Sequence, residues 1–183
     1  QQIVVRAFQG GLVRRGEQVI YYCTESYRAK IEATGAVFRP YTQFGDDYFE
    51  QNNLDGSNPT LTGRRMIEQT RRMLPDLVAA ARAEQPDYVL YDSMCPWGVL
   101  IGRVLKLPTV CSLALLLFSP AMLVRASGVG AVFSMMLGNL PNLLAFMRTS
   151  RAIGREHGVP PLQFQEFFFA PAHLTISYTM PPI

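Results

Sequence analysis

The chain has 183 residues, of which 49% are apolar and 17% are charged, and its formal net charge is +3. This length is sufficient for one domain with a buried core, and the composition is that of a globular protein rather than a disordered chain. The small net charge argues against a nucleic-acid partner. One group of arginines falls in a single segment at helical spacing, where we expect a solvated helix face: Arg64, Arg65, Arg71, Arg72 and Arg82.

Cysteine and histidine are few and scattered. The cysteines Cys23, Cys95 and Cys111 form no C-x-x-C pair, so the sequence predicts neither a disulfide framework nor a zinc site. The histidines, His157 and His173, have no cluster of acidic residues near them, which argues against a metal centre. No signal-peptide pattern opens the sequence, and we expect a cytoplasmic protein.

Two strands are predicted at the start of the chain, one within Ile3–Phe8 and one at Gln18–Cys23. The residues that join them are fewer than a crossover between parallel neighbours needs, although an antiparallel hairpin would accommodate them. Leu12–Gly16 has basic residues and a final glycine, which is typical of the last turn of a helix. A helix end without its beginning predicts that residues of the natural protein are missing between about Gln9 and Leu12. The alternative is a true deletion.

A βαβ unit is predicted next, made of a strand, a short helix stopped by glycine, and a second strand: Gln18–Cys23, Ser26–Thr34, Gly35 and Ala36–Tyr41. Thr24 or Ser26 is suited to cap the helix, and glycine suits the left-handed residue that ends it. Thr42–Pro59 is long and rich in Asp, Asn, Gly and aromatic residues, which indicates a functional loop.

Helices and strands then alternate along the chain: Leu61–Glu84, Asp87–Tyr91, Pro96–Leu105 and Pro108–Leu113. The first of these helices has its apolar residues on one face, and Pro75 should kink or divide it. The second has proline in its first turn, a favoured position. Strands that are nearly continuously apolar and alternate with helices predict an α/β fold, namely a Rossmann-like doubly wound parallel sheet with helices on both faces.

The last third of the chain is less regular. We predict a loose helical region at Ser119–Arg151, a short helix at Leu162–Phe169 and a final strand at Leu174–Tyr178. Two uncharged stretches, Leu107–Val124 and Ala126–Met147, approach the length of a membrane span. Prolines, glycines and asparagines interrupt them, so a buried strand followed by apolar helices around a pocket is the better interpretation.

Asp92 is the residue to weigh as a site, because it follows the strand Asp87–Tyr91 and ligands of open α/β sheets bind beyond the carboxyl ends of the strands. A carboxylate there could orient a histidine and stabilise its protonated form. It could instead cap the following helix, which position alone favours. The sequence contains neither a glycine-rich phosphate loop nor a G-x-S-x-G nucleophile motif.

Two long segments carry a family resemblance: LVRRGEQVIYYCTESYRAKIEATGAVFRPY, Leu12 to Tyr41, and PDYVLYDSMCPWGVLIGRVLKLPTV, Pro86 to Val110. In this order they resemble the N-terminal half of bacterial macrolide-type (MGT family) glycosyltransferases, relatives of the UDP-glucuronosyltransferases. The resemblance implies a GT-B enzyme of two Rossmann-like domains that uses neither a metal nor a cofactor. Its co-substrate would be a nucleotide sugar, a UDP- or TDP-sugar, and its acceptor a hydrophobic small molecule such as a macrolide.

The resemblance also implies which domain of the enzyme this chain would form. Residues 1–183 would be the acceptor-binding domain, without the C-terminal donor domain, and transfer would invert the sugar. Asp92 matches the aspartate that holds the catalytic histidine of the family, which raises the catalytic interpretation above the capping one. In the family that histidine follows the first strand, but no histidine precedes His157 here. The missing segment near Gln9–Leu12 is therefore predicted to carry it.

The resemblance implies a role for several apolar residues in the middle region of the chain. We expect some of them to line or flank the acceptor pocket, although simple core packing is the alternative for each: Trp97, Phe118, Met122, Phe133, Met135, Met136 and Phe146. Two competing functions stay open. One is a non-catalytic small-molecule-binding or auxiliary relative that lacks the base, and the other is a protein that docks on lipid through its apolar helices.

Overall fold

The computed structural model describes residues 10–42, 45, 58–113, 138–166 and 172–177. The chain divides into two compact units, Gln1–Asp55 and Gly56–Ile183. Each unit contains a parallel β-sheet whose strands alternate with helices along the chain. The predicted parallel α/β fold is therefore confirmed.

The first described segment of unit 1 is a helix end. Residues 10–14 are helical, and the chain leaves the helix at Gly16, where φ is +88°. The Gly16 N–H donates to the Val13 carbonyl at 3.0 Å and the Glu17 N–H to the Leu12 carbonyl at 3.2 Å, a Schellman arrangement. The predicted helix end is confirmed. The strand predicted within Ile3–Phe8 lies outside the described residues, and the missing segment stays a prediction.

The βαβ unit is also confirmed. Its parts are strand β1, a 3₁₀ turn, helix α1 and strand β2: Ile20–Cys23, Glu25–Tyr27, Arg28–Glu32 and Val37–Pro40. The strands are parallel, with Ile20 opposite Val37. The predicted cap is wrong, because the helical segment opens with a 3₁₀ turn and the Thr24 side chain makes no capping hydrogen bond. Its hydroxyl lies 3.5 Å from that of Ser26 instead.

Unit 2 contains three helices and three strands within the described residues. In chain order they are α2, β3, α3, β4, α4 and β5: Pro59–Glu84, Val89–Asp92, Pro96–Leu105, Thr109–Leu113, Leu140–His157 and Leu174–Ser177. The sheet order is β3-β4-β5, and both pairings are parallel. The bounds of α3 match the prediction, and the predicted final strand is confirmed. In the stretch predicted as a short helix, residues 164–165 form a turn and 167–169 lie outside the described residues.

Helix α2 runs without a break through Pro75 over 26 residues, so Pro75 does not divide it, and a kink, the other predicted effect, stays a prediction. Proline removes one helical hydrogen bond, but the turns on either side of it are anchored by buried residues. Met73 and Leu74 are fully buried before it, and Leu77 and Val78 are buried after it. Burial of each such side chain contributes roughly 1.5–3 kcal/mol, which outweighs one lost hydrogen bond.

Of the arginines predicted on a solvated face of α2, Arg71, Arg72 and Arg82 are exposed, whereas Arg64 and Arg65 are half-buried. This face also joins α2 to α4. Arg71 forms an ion pair with Glu156 of α4, and Arg64 donates to the Asn142 side chain at 3.3 Å. Beneath this surface Phe146 of α4 is fully buried and meets the ring of Phe164 edge to face at 5.3 Å. None of the helices in the described ranges is both long and apolar enough to cross a membrane.

Candidate active site

Asp92 and the start of helix α3 lie at the carboxyl edge of the unit 2 sheet. Strand β3 ends at Asp92, and α3 begins shortly afterwards, so the N-terminus of α3 lies at this edge. Helix α2 leads into the opposite end of β3. Asn58, which caps α2, donates to the side chain of Asn139 at the start of α4 at 2.9 Å. The N-termini of α2 and α4 are therefore joined by a side-chain hydrogen bond, and the N-terminus of α3 follows Asp92 after one turn.

The turn that follows β3 holds the Asp92 carboxylate in one orientation. Its Oδ1 atom accepts a hydrogen bond from the Met94 N–H at 2.8 Å, and its backbone carbonyl accepts one from the Cys95 N–H at 2.8 Å. The next residue, Ser93, donates its N–H to the Ser112 carbonyl of β4 at 3.1 Å. This Asx turn fixes both the backbone and the side chain of Asp92.

Asp92 does not cap helix α3. The residue at the N-cap is Cys95, which makes no side-chain capping bond, and Pro96 occupies the first turn. The prediction that Asp92 caps α3 is therefore wrong, because a turn separates the end of β3 from the start of the helix. The carboxylate stabilises that turn instead. Among the described residues, no group donates a hydrogen bond to Oδ2, the second carboxylate oxygen.

The surroundings of Asp92 are apolar enough to affect its charge. Burial raises the pKa of its carboxyl, and the hydrogen bond from Met94 opposes that shift. Cys111 on β4 is fully buried, and this burial together with the charge of Asp92 raises the pKa of its thiol to about 11. Cys111 is therefore a neutral thiol at physiological pH and does not act as a nucleophile.

Helix α3 lies directly on the strands that carry the site. A Cβ atom on Gly98 would lie 2.3 Å from the Cβ of Tyr91, and one on Gly102 would lie 2.2 Å from Cγ2 of Thr109. Real Cβ atoms do not approach so closely, so only glycine permits this packing. The close contact fixes the first turn of α3, and with it the turn that orients Asp92.

The sequence analysis did not predict Ser93 as a site residue, but in the structure it has a buried side chain with a hydroxyl that no described residue pairs with. Its side chain is only 6% exposed, and its hydroxyl has no hydrogen-bond partner among the described residues. Leaving a buried hydroxyl unsatisfied costs about 1–3 kcal/mol. The one feature of the sequence that could have indicated Ser93 as a site residue was its position directly after the strand that ends at Asp92.

Of the apolar residues predicted to line the acceptor pocket, two lie among the described residues. Trp97 is 5% exposed in the first turn of α3, close in sequence to Asp92, and Phe146 is fully buried in the core. The others lie outside the described residues: Phe118, Met122, Phe133, Met135 and Met136. The pocket itself therefore stays a prediction.

Neither histidine approaches Asp92. The His173 Nδ1 atom accepts a hydrogen bond from the Thr109 N–H at 3.1 Å, at the first residue of β4. Asp92 is level with Ser112, roughly 10 Å further along that strand. His157 ends α4, and the chain turns away at Gly158. Within the described ranges, no group of three or more His, Cys, Asp or Glu side chains is arranged to hold a metal ion.

The amino-acid sequence matches no family model. It is similar to the uncharacterized UDP-glucosyltransferase YojK of Bacillus subtilis (strain 168), with 25% identity over 172 residues. The match covers 92% of this chain and 42% of YojK. The chain thus spans about two fifths of the length of this relative.

Solved glycosyltransferases have the same fold. The kitacinnamycin glycotransferase superimposes with a TM-score of 0.67 at 22% identity, covering 94% of this chain and 41% of that one. The spinosyn rhamnosyltransferase SpnG gives 0.59 at 17% identity, with 96% and 40% covered, and the calicheamicin glycosyltransferase CalG4 gives 0.59 at 19% identity, with 94% and 43% covered. The chain therefore has a Rossmann-like half of the GT-B fold and is homologous to a UDP-glucosyltransferase.

Proposed function

We propose that this chain is the acceptor-binding, N-terminal half of an inverting glycosyltransferase. The enzyme moves a sugar from a nucleotide-sugar donor to a hydroxyl of a hydrophobic small molecule. The observation that carries the proposal is the carboxylate of Asp92, at the carboxyl edge of a fold shared with natural-product glycosyltransferases. One of its oxygens is held by Met94, and the other has no donor among the described residues.

The proposed reaction needs a base, because a hydroxyl is a poor nucleophile at neutral pH. A histidine removes the hydroxyl proton, and the acceptor oxygen forms a bond to C1 of the sugar. The bond from C1 to the nucleotide diphosphate breaks, and the diphosphate leaves with the electron pair. Oδ2 of Asp92 accepts the other N–H of the imidazole, which fixes its tautomer and stabilises the imidazolium. A placed base of this kind contributes about 10²–10⁴-fold in rate.

The remaining parts of the enzyme are assigned to residues outside the described ones. SpnG has been solved with thymidine diphosphate and with the spinosyn aglycone, so that protein binds both kinds of ligand. For this chain we propose a UDP- or TDP-sugar donor bound by a separate C-terminal domain. The catalytic histidine would belong to a segment between about Gln9 and Leu12, since no histidine precedes His157 in the sequence.

The absence of a histidine before His157 favours a second candidate function. A non-catalytic small-molecule-binding or auxiliary relative would keep the fold and the acceptor pocket but need no base. Asp92 would then serve only the turn after β3, in which it accepts from Met94. The encoded gene separates the two candidates: a histidine next to Gly10 and a donor domain downstream support the enzyme. Direct contiguity of Gly10 with Gly11, and a stop codon after Ile183, would support the auxiliary protein.

The decisive assay uses the intact gene product with UDP-glucose or a TDP-deoxysugar and a panel of hydrophobic hydroxylated acceptors, with products detected by mass spectrometry. Asp92→Asn should lower kcat by about 10²-fold or more while acceptor binding changes little. Asp87→Asn is the matched control, because this exposed aspartate precedes the other end of β3. Equal losses in kcat and in acceptor binding would contradict the proposed role of Asp92.

A further inference from the structure

Helix α4 has a positively charged groove on its exposed side. Arg148, Arg151 and Arg155 line an open groove of about 530 Å³, together with Gly154, Val159 and Pro161. The opposite wall is the chain that follows the helix, which folds back so that the Val159 N–H donates to the Gly154 carbonyl at 3.0 Å. The arginines span eight residues of helix, or roughly 10 Å along its axis.

Three other arginines on the helices of unit 2 are paired with carboxylates, whereas Arg72 and Arg82 of α2, like the groove arginines, form no such pair among the described residues. Arg64, Arg71 and Arg103 form ion pairs with Glu68, Glu156 and Glu166, respectively. Arg148 and Arg151 have no carboxylate partner among the described residues. Arg155 lies beside Glu156, whose carboxylate is paired with Arg71 and also interacts with the charge of Arg155. The groove therefore keeps the positive charges of Arg148 and Arg151, which no carboxylate among the described residues pairs with.

The same side of α4 is apolar in its first turns. Leu140 is 45% exposed, Leu144 is 42% exposed and Met147 is 36% exposed. Their spacing of four and then three residues puts them on one helical stripe, and Arg151 continues that stripe. The opposite side of the helix is buried through Phe146, Ser150 and Ile153. The exposed face of α4 thus changes from apolar to cationic along the helix axis.

We propose that this face of α4, from Leu140 to Arg155, docks a segment of a partner polypeptide in which apolar side chains are followed by at least two carboxylates. Arginine forks bind carboxylates in pairs of hydrogen bonds, and a span of roughly 10 Å is longer than a single anion fills. A nucleic acid offers nothing to the apolar half. A lipid surface is flat and does not enter a groove, and an interfacial helix separates apolar from basic residues around its axis rather than along it.

The test measures fluorescence anisotropy of the full chain with a labelled synthetic peptide in which a run of leucine and alanine is followed by a run of glutamate. Arg148→Gln combined with Arg151→Gln should weaken binding by about tenfold or more. Arg72→Gln combined with Arg82→Gln is the control, since it removes the same net charge from exposed positions on α2. Leu144→Gln should also weaken binding, whereas Leu174→Gln, at a 56% exposed leucine of β5, should not.

Circular dichroism and thermal unfolding establish that each variant is folded before binding is compared. Equal weakening by the two arginine pairs would overturn the proposal, because it would show a response to net charge alone. Absence of peptide binding to the unaltered chain would also overturn it. So would binding to vesicles of anionic lipid, or to inorganic pyrophosphate, at concentrations where the peptide does not bind. None of these outcomes depends on the proposed glycosyl transfer.

Discussion

The Cα of Gly98 lies so close to Tyr91 that a Cβ atom added to it would be only 2.3 Å from the Cβ of that tyrosine. Tyr91 is the residue before Asp92 on β3, and it is 5% exposed beneath α3. The position of the candidate catalytic carboxylate therefore depends on a glycine in the following helix.

Gly98→Ala should destabilise the protein by about 1–3 kcal/mol, because the added methyl group forces α3 away from β3. Alanine is more favourable than glycine inside a helix by up to about 1 kcal/mol, so the free-energy cost of overpacking must exceed that gain. Urea unfolding followed by circular dichroism measures the change. Gly138→Ala is the control, since a Cβ there meets no atom within 4 Å. Equal stabilities of the two variants would contradict the packing described.

Asp92→Asn should make the protein more stable at neutral pH, provided that the asparagine Oδ1 still accepts from Met94. Burial raises the pKa of the Asp92 carboxyl, so the folded chain binds this proton more tightly than the unfolded chain does. As the pH rises from about 3.9, the unfolded value, through the raised folded value, ionisation of Asp92 costs stability. The advantage of the variant should grow over that interval. Thermal unfolding of both proteins across this pH range measures it, and a difference independent of pH would contradict the assignment.

Ser93→Ala should leave the free energy of unfolding unchanged or raise it slightly, because the hydroxyl it removes is buried without a partner among the described residues. Ser150→Ala is the matched control. Ser150 is 2% exposed, and its hydroxyl donates to the Leu162 carbonyl at 2.7 Å, so its loss should cost about 1–2 kcal/mol. Chemical denaturation distinguishes the two. A loss at Ser93 as large as that at Ser150 would show that its hydroxyl has a partner.

Cys111 should resist alkylation in the folded protein. Its thiol is fully buried with a pKa raised to about 11, so roughly one molecule in a thousand carries the thiolate at pH 8. Cys23 and Cys95 are partly exposed and should react first with iodoacetamide. Peptide mass spectrometry before and after denaturation identifies the modified residue. Labelling of Cys111 at the rate of the other two would contradict its burial.

Local patterns predicted several elements well. The bounds of α3 agree with the prediction because proline in the first turn and an apolar run are signals within the segment itself. The end of the helix at Gly16 is likewise local, since it needs one residue with positive φ. The continuity of α2 through Pro75 was not predictable, because it depends on residues that are buried only when α3 and α4 pack against that helix.

The sequence by itself determined that Asp92 ends a strand of a parallel α/β fold, because strand patterning and chain order decide which residues reach the carboxyl edge of a sheet. Only the tertiary structure decided that its Oδ1 is bound by Met94, that it leaves α3 uncapped and that burial raises its pKa. The same holds for Glu156 of α4, whose carboxylate pairs with Arg71 of α2. Burial and pairing are properties of residues brought together from distant parts of the chain, and no local pattern contains them.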